Sequence, residues 1–210
     1  MRIKILGSAA GGGFPQWNCN CRNCESVRAG TFKGKSRTQT QVAVSNDDRA
    51  WFLLNTSPDL RLQIEATPVL YPRSARRDSP IAGVLLTSGD IDQIAGLLSL
   101  RELQPFRIYC TASIRRILQE DNSMFAMLNR VPDQVSWTEI ASDASFPLQD
   151  VARRDSGIGC TVFSLGRHYP AYVSRERTAS LKAEDALLGA TLTGSSGKRV
   201  AYMPAVPAVD

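Results

Sequence analysis

The stretch Gly7-Ser8-Ala9-Ala10-Gly11-Gly12-Gly13-Phe14-Pro15-Gln16-Trp17-Asn18-Cys19-Asn20-Cys21-Arg22-Asn23-Cys24 sets four glycines and three cysteines within eighteen residues. A segment so poor in apolar side chains cannot hold its shape through a core of its own. The spacing C-x-C-x-x-C instead puts three soft sulfur ligands on one tight loop, from which a tetrahedral zinc site closes with a fourth ligand from elsewhere. The expected zinc is structural, held by Cys19, Cys21 and Cys24, and pins a loop over 7–31. The competing readings are three free thiols or a disulfide. The fourth ligand stays open. His168 is the only histidine, and Cys110 and Cys160 sit in apolar runs that read as core. One histidine is fewer than the two or three that most hydrolytic zinc sites use. Phe14 and Trp17 are expected to pack beneath the loop.

Outward from this loop, residues 1–6 (MRIKIL) read as a strand that runs into the glycines. Residues 38–45 alternate and read as a strand, paired through the polar turn 46–49 with another over 51–55. Ser57 is placed to cap a short helix over 58–66, with Arg61 and Gln63 on its exposed face. The apolar run 81–87 (IAGVLLT) has the composition of a buried strand. A helix over 91–103, a strand over 106–110, a helix over 112–118 and at most a helical turn over 124–128 follow. The second half turns strand-rich, over 135–140, 159–165, 187–193 and 199–203. The polar stretch 167–185 reads as a long loop, a kind of segment that is often functional. This order points to an α/β class with large sheets, folded as one domain over 1–210. The chain reaches Asp210 after the proline-containing segment 204–207 without a closing helix, so the fold is expected to be incomplete at its C-terminus.

Composition narrows the function classes. Hydrophobic residues at 43% and charged residues at 21% are those of an ordinary globular domain. No apolar run approaches the roughly 20 residues of a membrane helix, and the N-terminal segment is too short for a secretory signal, so a cytoplasmic protein with no membrane partner is expected. The net charge of +5 reads as scattered, with small groups at Arg73, Arg76 and Arg77 and at Arg153 and Arg154. It lacks the basic stripe with interleaved aromatics of a nucleic-acid binder, though it favours an acidic substrate or partner.

The opening signature resembles that of the coenzyme PQQ synthesis protein B family. Further matches follow in order at Arg37-Thr38-Gln39, Asn55-Thr56-Ser57-Pro58-Asp59-Leu60-Arg61, Pro80-Ile81-Ala82-Gly83-Val84, Gly96-Leu97-Leu98-Ser99-Leu100-Arg101-Glu102 and Tyr109-Cys110-Thr111. The likeness is strong before residue 111 and faint between about 122 and 199. More distantly the chain is similar to phosphodiesterases of the same superfamily that have a C-x-C-x-x-C zinc loop. The resemblance implies a metallo-β-lactamase-like αββα sandwich. It also implies a metal motif H-x-H-x-D-H after the buried strand. Here that window reads Ser88-Gly89-Asp90-Ile91-Asp92-Gln93. Asp92 keeps the aspartate, Ser88 and Asp90 replace the leading histidines, and Gln93 replaces the last. Glutamine offers one neutral oxygen, a weaker ligand for iron than imidazole. Asp90 has a competing reading as the cap of the helix that begins near Ile91.

By this resemblance the protein acts on a tyrosine-derived peptide precursor of PQQ through an iron-dependent hydroxylation. The candidate catalytic residues are Asp90, Asp92 and Gln93, and the candidate substrate-binding residues are Asn55, Ser57 and Asp59. The degraded motif makes a reactive iron unexpected. It raises the alternative of a non-catalytic binding or carrier protein for PQQ or its precursor, for which a homodimer is compatible. Family members run past residue 210, so a short paralogue or a fragment is expected.

Overall fold

The computed structural model describes residues 1–74 and 76–206. Six strands form the larger sheet in the order β1-β2-β3-β4-β5-β6. These are β1 (Arg2–Gly7), β2 (Gln41–Ser45), β3 (Trp51–Leu54), β4 (Ile81–Leu85), β5 (Phe106–Cys110) and β6 (Val135–Glu139). β2 pairs antiparallel with both β1 and β3, and β3 to β6 run parallel. The smaller sheet has the order β10-β9-β8-β7, all antiparallel. It comprises β7 (Ser145–Gln149), β8 (Asp155–Gly166), β9 (Leu187–Thr193) and β10 (Arg199–Tyr202).

The apolar runs explain the layering. β3 (WFLL) and β5 (FRIYC) are buried at every position, as parallel strands covered on both faces must be. One cluster of buried side chains joins both sheets and the helices. It runs from Val44, Phe52 and Leu85 through Leu60, Ile94 and Ile117 to Val162, Leu188 and Leu192. The sheets also meet through the backbone, where the Leu188 N–H donates to the Thr87 carbonyl at 2.8 Å.

The helices depart from their expected ranges in both directions. They are α1 (Arg22–Arg28), α2 (Leu60–Glu65), α3 (Ile91–Ile94), α4 (Ala112–Glu120) and α5 (Arg175–Thr178). The helix expected over 91–103 is α for four residues and then tightens to a 3-10 helix over Ala95–Arg101. Gly96 accounts for the change: a Cβ there would lie 2.3 Å from the Ser57 carbonyl oxygen, so the segment packs directly on the 55–60 backbone. Ser57 does not cap α2; the N-cap position is Asp59, two residues on, without a side-chain cap. β7 has no counterpart among the expected strands because Pro147 interrupts a weakly apolar segment. The stretch read as a loop over 167–185 contains α5 and a 3-10 turn, Ala183–Asp185. Among the described residues no helix is long and apolar enough to cross a membrane. Part of the expectation for the C-terminus falls on residues 207–210, outside the described residues.

Candidate functional site

In parallel sheets the loops at the carboxyl ends of the strands gather the functional groups. Here these loops are 55–59 after β3, 86–90 after β4 and Thr111 after β5. The glycine-rich segment after β1 lies over them. It is stitched to residues 37–40 by hydrogen bonds from Ser8, Ala9 and Phe14 N–H to Thr38 and Arg37 carbonyls at 2.9–3.0 Å.

At the far end of that segment, the sulfurs of Cys19, Cys21 and Cys24 lie within 4.8 Å of one another. Bonds of about 2.3 Å to a tetrahedral zinc would set sulfurs roughly 3.8 Å apart, so the three fit such an ion with a small contraction. Cys24 is buried in α1, Cys19 half-buried and Cys21 exposed. The Cys21 thiol is pulled down to about 7, first by a backbone hydrogen bond from Cys24 and then by the neighbouring sulfurs. It is therefore largely ready to act as a thiolate ligand. Arg28 closes the loop from the end of α1, its guanidinium donating to the Cys19 carbonyl at 2.5 Å and to the Gln16 carbonyl. Cys110 and Cys160 are buried in strands, and burial pushes both thiols up to about 12. His168 is also apart from the sulfurs. Phe14 meets Phe32 edge-on at 5.3 Å, but Trp17 is 79% exposed and does not pack beneath the loop.

The second centre is the turn after β4. Asp90 stands at the N-cap of α3, but its carboxylate caps nothing. The Asp90 backbone carbonyl takes the Gln93 and Ile94 N–H groups, at 2.8 and 3.1 Å. The carboxylate instead accepts from Ser88 Oγ at 3.1 Å, and its other oxygen lies 3.4 Å from His168 Nε2. A histidine 78 positions away in sequence thus meets the turn after β4. Asp92 is half-buried, and its carboxyl is held above the usual range, first by burial and then by the charge of Asp90.

Gln93 is buried and turned inward. Asn55 Nδ2 lies 2.5 Å from Gln93 Oε1, 2.8 Å from Thr87 Oγ1 and 3.3 Å from Tyr202 Oη, and its two N–H groups donate among these three oxygens. Asn55 Oδ1 accepts from the Thr87 N–H at 2.8 Å. Asn55 adopts φ 63°, a left-handed conformation that asparagine tolerates better than most residues. Asn55 and Ser57 are fully buried, so neither offers surface to a substrate. Ser57 donates to Gln63 Oε1 at 3.0 Å, and Gln63 Nε2 donates to the Gln39 carbonyl at 2.8 Å. Gln63, expected on an exposed face, is therefore buried as a bracket between α2 and the 38–41 segment, while Arg61 is exposed. Asp59 is half-buried and accepts from the Gln39 N–H at 2.9 Å.

Against the turn after β4 lies an open cleft of about 530 Å³, walled by Gly11 and Gly12, Asp90 and Asp92, and Pro170 and Tyr172. A Cβ on Gly11 would sit 3.3 Å from Asp92 Oδ2, so the cysteine-bearing segment itself forms one wall. Tyr172 was not anticipated. Its hydroxyl donates to the Gly89 carbonyl and ties the 167–185 segment across the cleft. The signal for it was faint: the second of two tyrosines that flank Pro170-Ala171 in a polar stretch.

A family model for the beta-lactamase superfamily domain matches residues 50–210. The chain is 44% identical over 205 residues to coenzyme PQQ synthesis protein B from Methylobacterium sp. strain 4-46, covering 97% of this chain and 65% of that protein. It is 43% identical to the protein of the same name from Methylorubrum populi, with the same coverage. The crystal structure of zinc-bound PqqB from Methylobacterium extorquens superposes with a TM-score of 0.86 at 41% identity, over 100% of this chain and 67% of that one. A diphosphatase of the PhnP family shares the fold, with a TM-score of 0.61 at 18% identity. The chain thus spans 65% of the length of the curated relatives it matches. The signature at 7–24, the two-sheet architecture and these likenesses agree: the chain belongs to the coenzyme PQQ synthesis protein B family of the beta-lactamase superfamily.

Proposed function

We propose that the chain serves PQQ biosynthesis by binding PQQ or its peptide-derived precursor in the Asp90–Asp92 cleft, without a reactive iron. Cys19, Cys21 and Cys24 would hold a structural zinc. The zinc bound by the Methylobacterium extorquens relative and the clustered sulfurs support this. Such an ion supplies no chemistry to the cleft; it fixes the loop whose Gly11 and Gly12 form a wall.

The observation behind the non-reactive reading is the engagement of Gln93. Its only strong donor atom, Oε1, receives a buried hydrogen bond from Asn55. A cation in the cleft would then find Asp90, Asp92 and the exposed ring of His168. Carboxylates of this kind hold hard cations weakly, and a non-haem iron site uses about three firm ligands with open positions. The residues present can orient a ligand instead. Asp90 and Asp92 would favour a cationic or hydrogen-bond-donating group such as an amine, and the Tyr172 ring would offer an apolar side.

The iron-dependent hydroxylation implied by the family is the second reading, favoured by the meeting of His168 with Asp90 at 3.4 Å. One experiment separates the two. Zinc-loaded protein is supplied with iron(II), a tyrosine-containing peptide and ascorbate as the two-electron reductant that hydroxylation by oxygen requires, then oxygen. The binding reading predicts peptide or PQQ binding by calorimetry with no oxygen uptake above the protein-free control. Oxygen consumption matched by hydroxylated peptide would establish the enzyme.

A further inference from the structure

Positive charge is distributed unevenly along this chain. Residues 1–46 hold seven lysines and arginines against the single acid Glu25, a net +6, whereas the whole chain nets +5. Everything beyond is close to neutral, so the charge excess belongs to β1 and the cysteine loop. Arg22, Arg28, Lys33, Lys35 and Arg37 are all exposed, and none makes a salt bridge among the described residues.

One of these cations, Arg37, lines an apolar groove, and Lys33 and Lys35 belong to the segment between its lining residues Phe32 and Arg37. A cavity of about 400 Å³, separate from the Asp90–Asp92 cleft, is lined by Ala9, Ala10, Phe14, Phe32 and Arg37. Phe14 and Phe32 meet edge-on at 5.3 Å and form its floor. The basic segment is fastened there. The Phe32 N–H donates to the Ser26 carbonyl of α1 at 3.1 Å, and Arg37 exchanges backbone hydrogen bonds with Phe14 at 2.8 and 2.9 Å. Between these ties the chain curls over the Phe32 ring: a Cβ on Gly34 would lie 2.6 Å from Phe32 Cε1. Lys33 and Lys35 flank that contact in sequence and are exposed beside the groove-lining Phe32.

We infer that this face docks an acidic peptide segment, with one apolar or aromatic side chain seated on Phe14 and Phe32 and carboxylates meeting Lys33, Lys35 and Arg37. An apolar pocket with a rim of one charge sign is the arrangement that gives a peptide its anchor and its register. Unpaired cations on a rim also steer an anionic partner before contact. A nucleic acid fits less well, because the groove has no run of exposed aromatic faces on which successive bases could stack. The surface is distinct from the cleft, so the inference survives if the proposed function of the cleft fails.

The test is a selection of random dodecapeptides on the zinc-loaded full chain, followed by calorimetry of the recovered peptides. Enrichment of acidic residues around an aromatic or aliphatic one is expected, with affinity that falls as salt is raised. The exposed double variant Lys33→Glu/Lys35→Glu should lose about tenfold or more, consistent with charge pairs at a rim. Lys198→Glu, an exposed cation on the opposite sheet, should change affinity less than about twofold. Phe32→Ala should weaken binding while circular dichroism is unchanged; if it unfolds, the double variant still decides. Three outcomes would overturn the proposal: recovered peptides without acidic bias, affinity insensitive to the double reversal, or tighter capture of single-stranded DNA or phosphatidylserine vesicles through the same lysines.

Discussion

Asn55 Nδ2 stands 2.5 Å from Gln93 Oε1 in a buried position, so the Gln93 side chain faces the protein rather than the cleft. The same asparagine holds Thr87 at the end of β4 and Tyr202 at the end of β10. One side chain therefore joins both sheets to the turn that holds Asp90 and Asp92.

Removing that side chain should be costly. Asn55→Ala leaves the Thr87 N–H and Gln93 Oε1 without their partner in a buried site, at roughly 1–3 kcal/mol for each unsatisfied group. It also places alanine at φ 63°, which asparagine tolerates better. Urea denaturation should show a loss of about 2–4 kcal/mol. A loss under about 0.5 kcal/mol, as at an ordinary surface site, would refute the clamp.

Gly96 should prove irreplaceable for a steric reason. A Cβ would stand 2.3 Å from the Ser57 carbonyl and 2.9 Å from Leu60 Cβ, neither at the end of a flexible side chain. Gly96→Ala should destabilise by about 1–3 kcal/mol or more through overpacking, despite the usual helical gain of alanine over glycine. An unchanged thermal midpoint would show that the 55–60 loop can retreat.

Asp92 should weaken the fold at neutral pH. Burial, then the charge of Asp90, raises its folded-state value above the ordinary carboxylate range. The native state then binds the proton more tightly than the unfolded chain. The stabilisation this gives at low pH is lost as pH rises through the raised value. Asp92→Asn should therefore raise the thermal midpoint at pH 7, with the gain fading as pH falls to the ordinary carboxylate value. A midpoint that drops at pH 7 would mean that the charged form is favoured in the fold.

The 167–185 segment should loosen as a unit when its ion pair is cut. Arg177 Nε donates to Asp121 at 2.9 Å, and the same guanidinium pairs with Glu120 on α4. Arg177→Ala should speed proteolysis within 167–185 several-fold while hydrogen exchange in β3 to β5 stays slow. Equal loss of protection in both would show that the segment is part of the global unfolding unit.

The sequence was most legible where burial alone decides structure. The buried runs of β4, β5 and β9 declared themselves, and the expected ranges for β5 and β9 coincide with the observed ones. The cysteine spacing likewise put three sulfurs together, because residues so near in sequence cannot be far apart in space. Hydrogen-bonded positions were not legible. Ser57, Gln63 and Asn55 have side chains that suit a cap, an exposed helix face or a ligand contact equally well. Only their partners, Gln63 for the Ser57 hydroxyl, the Gln39 carbonyl for Gln63 and Gln93 for Asn55, settle their roles. The approach of His168 to Asp90 depends on the path of a long polar segment, which no local pattern encodes.

Metal stoichiometry tests the central claim most directly: sulfur anchors the loop, and the turn after β4 lacks the donors for a reactive ion. Protein produced with both metals in excess, then dialysed against a weak chelator, should retain one zinc and no iron by elemental analysis. Cys24→Ser should lose the zinc. Wild-type protein that keeps one equivalent of iron through dialysis, and releases it on Asp92→Ala, would contradict the account.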